Sequence, residues 1–139
     1  MIPTNIIRRN IKREIAVYEK VKAFHKKYGM AYEGKPRMLP EDLSNFRIHF
    51  LIEELEEYVN AETLEDKFDA LIDLIYIALG TAELHGIDNK MFYEGFNKVH
   101  AANMKKIKGK SERSDKFDVI KPKDWKAPDL KEILNDNSS

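Results

Sequence analysis

The stretch ALIDLIYIAL at residues 70–79 decides how this chain folds. Wound as a helix it is apolar on every side, so it predicts a buried central helix. Asp73 is the only charged residue within it. A buried carboxylate without a partner costs several kcal/mol, so Asp73 must be protonated, paired with a cation or bound to a metal ion.

Helical periodicity continues on both sides of this stretch. Thr63, with Asp66 three residues later, predicts the N-cap of the central helix. The apolar spacing predicts helices over residues 6–28, 43–61, 63–84 and 89–107 and a short helix over 129–134. No run has the period of a strand. We therefore expect an all-α, four-helix bundle-like fold with a helical core over about residues 6–107, followed by an irregular, basic C-terminal tail over 108–139.

The chain has 139 residues, 24 Lys and Arg against 24 Asp and Glu, and no Cys. This length predicts one domain over residues 1–139, and the lack of Cys excludes a disulfide scaffold, a thiolate zinc site and a Cys nucleophile. Without a long apolar run or a secretory leader, we expect a cytoplasmic protein with no membrane partner. Because 35% of the residues are charged, we expect another copy to complete the core, in a homodimer or homotetramer.

The charges are divided along the chain, since residues 38–97 are acidic and both flanks are basic. In the second predicted helix, Glu53, Glu54 and Glu57 fall within an arc of roughly 100°. Phe46 projects into the same arc, so these acids share a face with an aromatic residue that we expect in the core. Most acid clusters on helices are simply solvated, and this pattern alone is a weak signal.

The central helix strengthens the case for a functional site. Asp69 lies one turn before Asp73 on the same face. If this face meets the acids of the second helix, five carboxylates converge, and they repel one another unless a cation lies among them. Oxygen ligands without His or Cys suit Mg²⁺ or Mn²⁺ better than zinc. The competing interpretation is a buried salt bridge, for which the acidic segment offers Arg47, Lys67 and Lys90.

Several other sites are excluded by their motifs. The chain has no Glu-x-x-His, which a di-iron carboxylate bundle needs. It also has no complete phosphate-loop motif, because Gly29–Lys35 is followed by Pro36 where Gly-x-x-x-x-Gly-Lys requires Ser or Thr. Gly80 lies on the face of Asp73, where it either leaves room for a ligand or allows close helix packing. The four histidines are scattered and are expected to be surface or satisfied helix residues: His25, His49, His85 and His100.

The acids and the residues after them resemble the MazG-like group of the all-α NTP pyrophosphatase superfamily, most closely its short stand-alone bacterial and phage members. Residues 53–57 match its Glu-Glu-x-x-Glu pattern, and Asp69 with Asp73 matches an acid pair on the next helix. Further similar segments are Asp73–Tyr76, Leu79–Gly80, Phe96–His100, Asn103–Lys106, Lys121–Pro122 and Pro128–Leu130. Many relatives have Glu where this chain has Ala70, so the resemblance implies that Asp69 would have to take the place of that acid.

The resemblance implies Mg²⁺-dependent hydrolysis of a nucleoside triphosphate between the α and β phosphates, with Mn²⁺ as a substitute metal, in a site between subunits. It implies a preference for a deoxypurine such as dGTP. The implied metal ligands are Glu53, Glu54, Glu57, Asp69 and Asp73, and all of them except Asp69 are also implied to be catalytic. The implied substrate-binding residues are Asn103, Lys106, Lys110, Arg113 and Lys121.

Two other functions remain open at this point. The first is a non-catalytic helical module for oligomerisation or regulation, which would keep the acids for salt bridges. The second is nucleic-acid binding through the basic flanks. A net charge of zero and the single Trp125 give little of the basic and aromatic interleaving of such surfaces, so we expect no nucleic-acid partner.

Overall fold

The structure, a computed structural model, describes residues 4–136, and the side-chain details given below lie within residues 17–135. Its helices are α1 (Thr4–Lys27), α2 (Glu41–Asn60), α3 (Leu64–Leu84), α4 (Asn89–Asn103) and α5 (Lys131–Asp136), and its strands are β1 (Ile107–Lys108) and β2 (Val119–Ile120). The prediction of an all-α, bundle-like fold is confirmed.

The described residues form two compact units, one through Asn89 and one from Lys90 onwards. The first unit contains α1, α2 and α3, and the second contains nearly all of α4, the strand pair and α5. A single domain over residues 1–139 stays a prediction, and its first three and last three residues lie outside the described part of the chain.

Helices α2 and α3 form an antiparallel hairpin in the first unit, joined by residues 61–63. The predicted N-cap of α3 is confirmed, because the hydroxyl of Thr63 accepts a hydrogen bond of 3.1 Å from the backbone N–H of Asp66. At the other end, Gly86 has φ 83° and ends the helix. A Cβ there would also lie 2.7 Å from the carbonyl oxygen of Lys35, so glycine is required on both grounds.

Helix α1 packs against α3 through a buried polar pair. Nδ1 of His25 lies 2.6 Å from Oε2 of Glu83, and the two side chains are each 3% exposed. The other carboxylate oxygen of Glu83 accepts a hydrogen bond of 3.1 Å from the backbone N–H of Tyr32. The expectation that His25 is a satisfied helix residue agrees with this contact, which ties α1 and the loop after it to the end of α3.

Gly80 makes room for a buried arginine. Arg47 of α2 donates hydrogen bonds to the hydroxyl of Thr81 at 3.0 Å and to the carbonyl oxygen of Ile77 at 2.9 Å. A Cβ at Gly80 would lie 2.8 Å from Nη2 of Arg47 and 3.1 Å from the ring of His25. Of the two roles left open for this glycine, the structure shows close packing between helices.

The expectation that α3 is buried on every side is wrong for the chain on its own. Ala70, Ile77 and Leu79 are buried, but Leu71 and Ile75 are exposed to 46% and 57%. A single hairpin partner and α1 cover only part of an all-apolar helix. No single described helix is long and apolar enough to cross a membrane. Among the described helices, only the bent pair formed by α3 and α4 reaches that length and composition.

The second unit differs from the prediction in two ways. Helix α4 ends at Asn103 rather than near Ile107, and the chain then enters a short antiparallel pair in which Ile107 faces Ile120 and Lys108 faces Val119. No strand was expected there, because two residues are too few to show a period of two. Helix α5 lies close to its predicted position. At its start, the backbone N–H of Lys131 donates a hydrogen bond to the carboxylate of Asp129, which precedes the helix.

Candidate metal centre

The α2–α3 hairpin brings three of the five predicted acids together. Glu54 and Glu57 lie one turn apart on α2, and Asp73 lies opposite them on α3. One carboxylate oxygen from each of the three lies within 4.8 Å of the others. We call these three residues the acidic trio.

Glu54 is the most perturbed member of the acidic trio. Its Oε2 is buried and has no hydrogen-bond partner among the described residues. The pKa of its carboxyl group is raised above the ordinary value, first by desolvation and then by the negative charges of Glu57 and Asp73. An unpaired, buried carboxylate oxygen beside two other carboxylates is an arrangement that a divalent cation would stabilise.

The donor set fits a hard cation. The acidic trio offers only carboxylate oxygens, the ligands that Mg²⁺ and Mn²⁺ prefer. The residues present therefore fit a divalent metal of this kind.

Glu53 and Asp69 lie outside the acidic trio. Together with Glu57 they line a cleft of about 550 Å³ between α2 and α3. Two acids that the sequence analysis did not select, Glu56 and Asp66, line the same cleft. The five predicted ligands thus divide into three that converge and two that face an adjoining acidic space.

The salt-bridge interpretation finds no support in the described side chains. Arg47 binds Thr81 and the backbone of Ile77 instead of an acid. The ammonium of Lys67 donates to the carbonyl oxygen of Tyr58. Lys90 lies beside Glu94, one turn away on α4. Within the part of the chain that the structure describes, no ion pair involves a member of the acidic trio.

The predicted substrate-binding residues all lie in the second unit. Asn103 is the last residue of α4 and is exposed, as is Lys110 in the segment after β1. Arg113 donates to the carboxylate of Asp118 at 2.8 Å. Hydrogen bonds from Ser111 and from the backbone hold the pKa of Asp118 below its ordinary range, and Arg113 adds to this effect.

The remaining two, Lys106 and Lys121, share one aromatic neighbour. Their ammonium nitrogens lie 5.4 Å and 4.9 Å from the ring centroid of Trp125. The sequence analysis assigned Trp125 no such role. The only signal in the sequence that could have indicated it is a tryptophan four residues after a lysine in a basic segment.

Fold and acids together define a class of protein, the all-α hydrolases of the pyrophosphohydrolase type. The chain belongs to the phosphoribosyl-ATP pyrophosphohydrolase family, whose sequence model matches residues 21–103. This family is related to the MazG-like group, so the resemblance seen in the sequence is confirmed, and a nucleotide pyrophosphohydrolase activity is indicated. No curated protein is significantly similar to the chain. The matched region includes every predicted acid and ends before Lys106.

Replacing Glu54 by Gln is expected to stabilise the protein when divalent ions are removed with a chelator. The amide would relieve repulsion and allow a hydrogen bond to Glu57 or Asp73, and because the site is open to solvent we expect a gain of up to about 1 kcal/mol near neutral pH. The pKa of Glu54 is higher in the folded state than in the unfolded chain, so its charge destabilises the fold increasingly as pH rises above the ordinary value of 4.5. The gain should therefore vanish in more acidic solution.

Urea unfolding of Glu54→Gln and wild type across this pH range measures the effect. Glu62→Gln is the matched control, since Glu62 is an exposed acid in the connection between α2 and α3. Equal stabilisation by both substitutions, or a gain at Glu54 that persists in acid, would contradict the expectation.

Proposed function

We propose that this protein hydrolyses a nucleoside triphosphate between its α and β phosphates, releasing a nucleoside monophosphate and pyrophosphate. The observation that carries the proposal is the buried Oε2 of Glu54, which has no hydrogen-bond partner in the described part of the chain and lies beside Glu57 and Asp73. We propose Mg²⁺ as the cofactor, with Mn²⁺ as a substitute. The chemistry that such an ion supplies is neutralisation of phosphate charge and activation of the attacking water.

The acids of the hairpin divide the roles in this proposal. Glu54, Glu57 and Asp73 would bind the metal, because their oxygens already lie within 4.8 Å of one another. Glu53 and Asp69, which line the adjoining cleft, are proposed as further ligands. One of the three glutamates is proposed to accept the proton of the attacking water instead of binding the metal. Protonation of these carboxylates at low pH would weaken metal binding, because protons compete with the metal ion for the same oxygens.

The polar residues of the second unit are proposed to contact the substrate. Asn103 would donate or accept hydrogen bonds at the nucleotide, and Lys106, Lys110 and Lys121 would attract its phosphates. Arg113 would exchange Asp118 for a phosphate group, to which a guanidinium binds in bidentate geometry.

Two substrates are proposed for comparison. A deoxypurine triphosphate such as dGTP is the one that the MazG-like resemblance favours. Phosphoribosyl-ATP is the compound in the name of the matching family, and that match over residues 21–103 makes it the second candidate. Both contain the phosphate chain that the proposed reaction cleaves.

The test is a substrate panel. The purified chain is incubated with Mg²⁺ and each common ribo- and deoxynucleoside triphosphate, and with phosphoribosyl-ATP, and the products are separated by anion-exchange chromatography. Formation of a monophosphate and pyrophosphate supports the proposal. Formation of a diphosphate and orthophosphate would contradict it, because the substrate would then be cleaved between its β and γ phosphates. Absence of turnover on the whole panel would favour the non-catalytic helical module, and retention of DNA or RNA at physiological salt would favour nucleic-acid binding.

We also propose that the protein is a homodimer or homotetramer located in the cytoplasm. The support for self-association is two apolar stripes that the described chain leaves exposed. Ile52 and Leu55 belong to the stripe on α2, and Phe68, Leu71 and Ile75 belong to that on α3. Stripes of such residues at helical spacing are typical of surfaces that another protein covers.

Replacing Ile52 by Glu is therefore expected to dissociate the assembly, since it places a charge in an apolar interface. Sedimentation velocity at several concentrations measures the mass against the 16.2 kDa of one chain. Met38→Glu is the control, because Met38 is 87% exposed and lies in the loop before α2. A wild-type protein that sediments as a monomer throughout would refute the proposed self-association.

A further inference from the structure

Two basic side chains cross the α2–α3 hairpin in opposite directions. Arg47 extends from α2 to α3, where it donates hydrogen bonds to the carbonyl oxygen of Ile77 at 2.9 Å and to the hydroxyl of Thr81 at 3.0 Å. Lys67 extends from α3 to α2, where its ammonium donates to the carbonyl oxygen of Tyr58 at 2.6 Å. Each helix thus holds the other through one side chain. We call these contacts the Arg47 clasp and the Lys67 clasp.

The two clasps lie on opposite sides of the acidic trio. Ile77 follows Asp73 by four residues in α3, and Tyr58 follows Glu54 by four residues in α2. Because four residues are about one helical turn, each of these carbonyl oxygens lies about one turn beyond an acid of the trio. The two helices run antiparallel, so one clasp lies towards the connection between them and the other towards the far end of the hairpin.

The Lys67 clasp also completes the hydrogen bonding at the end of α2. The last carbonyl oxygens of a helix lack N–H partners within it. That of Glu57 accepts a hydrogen bond of 3.0 Å from the backbone N–H of the cap residue Ala61, and the next, that of Tyr58, accepts from Lys67. The ammonium lies 4.4 Å from the centroid of the Tyr58 ring as well, which adds a cation–π attraction. This part of α2 is therefore fixed to α3 by two interactions of one side chain.

Neither clasp neutralises an acid through an ion pair. Among the side chains that the structure describes, no ion pair includes Arg47 or Lys67. Their charged groups bind carbonyl oxygens of the neighbouring helix, although three mutually repelling carboxylates lie between the two clasps. This arrangement fixes the position of the helices and leaves the acidic trio its negative charge.

We propose that Arg47 and Lys67 are positioning residues that hold the carboxylates of the acidic trio at metal-binding separation against their mutual repulsion. That repulsion pushes α2 and α3 apart, and each clasp opposes it by fixing a side chain of one helix to the backbone of the other. The inference rests on the proposed function, because that function gives the trio a metal ion to bind. Its first test needs neither metal ion nor substrate, so it can fail or hold independently of hydrolysis.

The first test is a double-mutant cycle between Lys67 and Glu54 in the presence of EDTA. Lys67→Met removes the ammonium but keeps most of the apolar stem. Without the clasp the carboxylates can separate, so the stabilisation expected for Glu54→Gln should fall to about half or less in the Lys67→Met background. Urea unfolding near neutral pH measures the four proteins.

Two results of this cycle would overturn the proposal. If the charge of Lys67 merely compensates that of Glu54, its removal increases the repulsion, and Glu54→Gln should then stabilise the Lys67→Met protein as much as the wild type or more. If Glu54→Gln stabilises neither background, the carboxylates do not repel one another and need no clasp.

The second test is calorimetry with Mn²⁺. Lys67→Met should weaken Mn²⁺ binding about tenfold, the scale typical of residues that orient metal ligands. A purely electrostatic role predicts the opposite sign, because loss of a positive charge favours the binding of a cation. Lys67→Arg should restore the affinity to within about threefold, since a guanidinium also donates to carbonyl oxygens and stacks on aromatic rings. Failure of this rescue, or Mn²⁺ binding by Lys67→Met as tight as that of the wild type, would overturn the proposal.

Two further variants complete the second test. Arg47→Lys keeps the positive charge but removes the planar fork of donors, so it should weaken Mn²⁺ binding about fivefold. Unchanged affinity would contradict the role of Arg47. Lys35→Met is the matched control, because Lys35 is an exposed lysine in the loop before α2, and its affinity should stay within about twofold of the wild type. Circular dichroism confirms that each variant is folded before it is compared.

The outcomes separate this inference from the proposed function. Turnover of a nucleotide, together with unchanged Mn²⁺ affinity in Lys67→Met, would overturn the clasps and leave the hydrolase standing. The expected coupling and affinities without turnover on the substrate panel would support the clasps and count against the hydrolase. If the wild type binds no Mn²⁺, the metal centre is contradicted, and the double-mutant cycle alone decides whether the clasps hold the carboxylates together.

Discussion

Asp73→Asn is expected to lower turnover of the preferred nucleotide by about three orders of magnitude or more, the scale seen when electrostatic stabilisation of a transition state is removed. Asn has nearly the shape of Asp, but it lacks the negative charge that α3 contributes to the acidic trio. Within the acidic trio, only Glu54 and Glu57 would then keep a charge to hold a divalent ion. Initial rates with saturating Mg²⁺ and nucleotide measure the effect, and calorimetry with Mn²⁺ should show metal affinity falling in parallel.

The control for this substitution is Glu65→Gln. Glu65 is an exposed acid in the first turn of the same helix and lies outside the acidic trio. Its removal should change the rate by less than about twofold, as for a surface charge that is screened by solvent. If the rate of Asp73→Asn is within tenfold of the wild-type rate, the acidic trio does not take part in catalysis.

His25→Ala is expected to destabilise the protein by about 3 to 5 kcal/mol, because it leaves the buried carboxylate of Glu83 without its closest partner. The two side chains are in contact at 2.6 Å and nearly inaccessible to solvent. One N–H from Tyr32 would remain as a donor to Glu83. The free energy of unfolding in urea measures the loss.

Two further variants make this result specific. The double variant His25→Leu/Glu83→Met should recover most of the stability, since an apolar pair of similar volume replaces both buried polar groups. Lys26→Ala, which removes the exposed pair of Lys26 with Glu33, should cost less than about 1 kcal/mol. If the double variant is as unstable as His25→Ala, the loss comes from packing and not from the isolated charge.

Much of the fold could be predicted from local sequence. The apolar periods located α2 and α3 within two residues, and Thr63 could be recognised as the N-cap because its hydrogen-bonding pattern spans only three residues. The convergence of Glu54, Glu57 and Asp73 also followed from helical geometry, since the facing sides of a short hairpin must meet.

Other features depend on contacts that no local pattern encodes. His25 and Glu83 are 58 positions apart, and nothing near either residue indicates the other. Helical angles could not separate Glu53 from the acidic trio, because a rotation of the helix by a few tens of degrees decides which acids face inward. Lys106 and Trp125 also meet although they are far apart in the sequence, and each strand between them is only two residues long.

The three-residue link between α2 and α3 affects how the protein folds. The carboxylates of the acidic trio lie on two helices that follow each other in the sequence. Bringing them together therefore closes only a small loop, which costs little conformational entropy. Contacts that are local in sequence also form early on the folding route. We therefore expect the hairpin to form before the distant helix α1 docks, so that the low entropy cost of the short link offsets part of the repulsion among the acids.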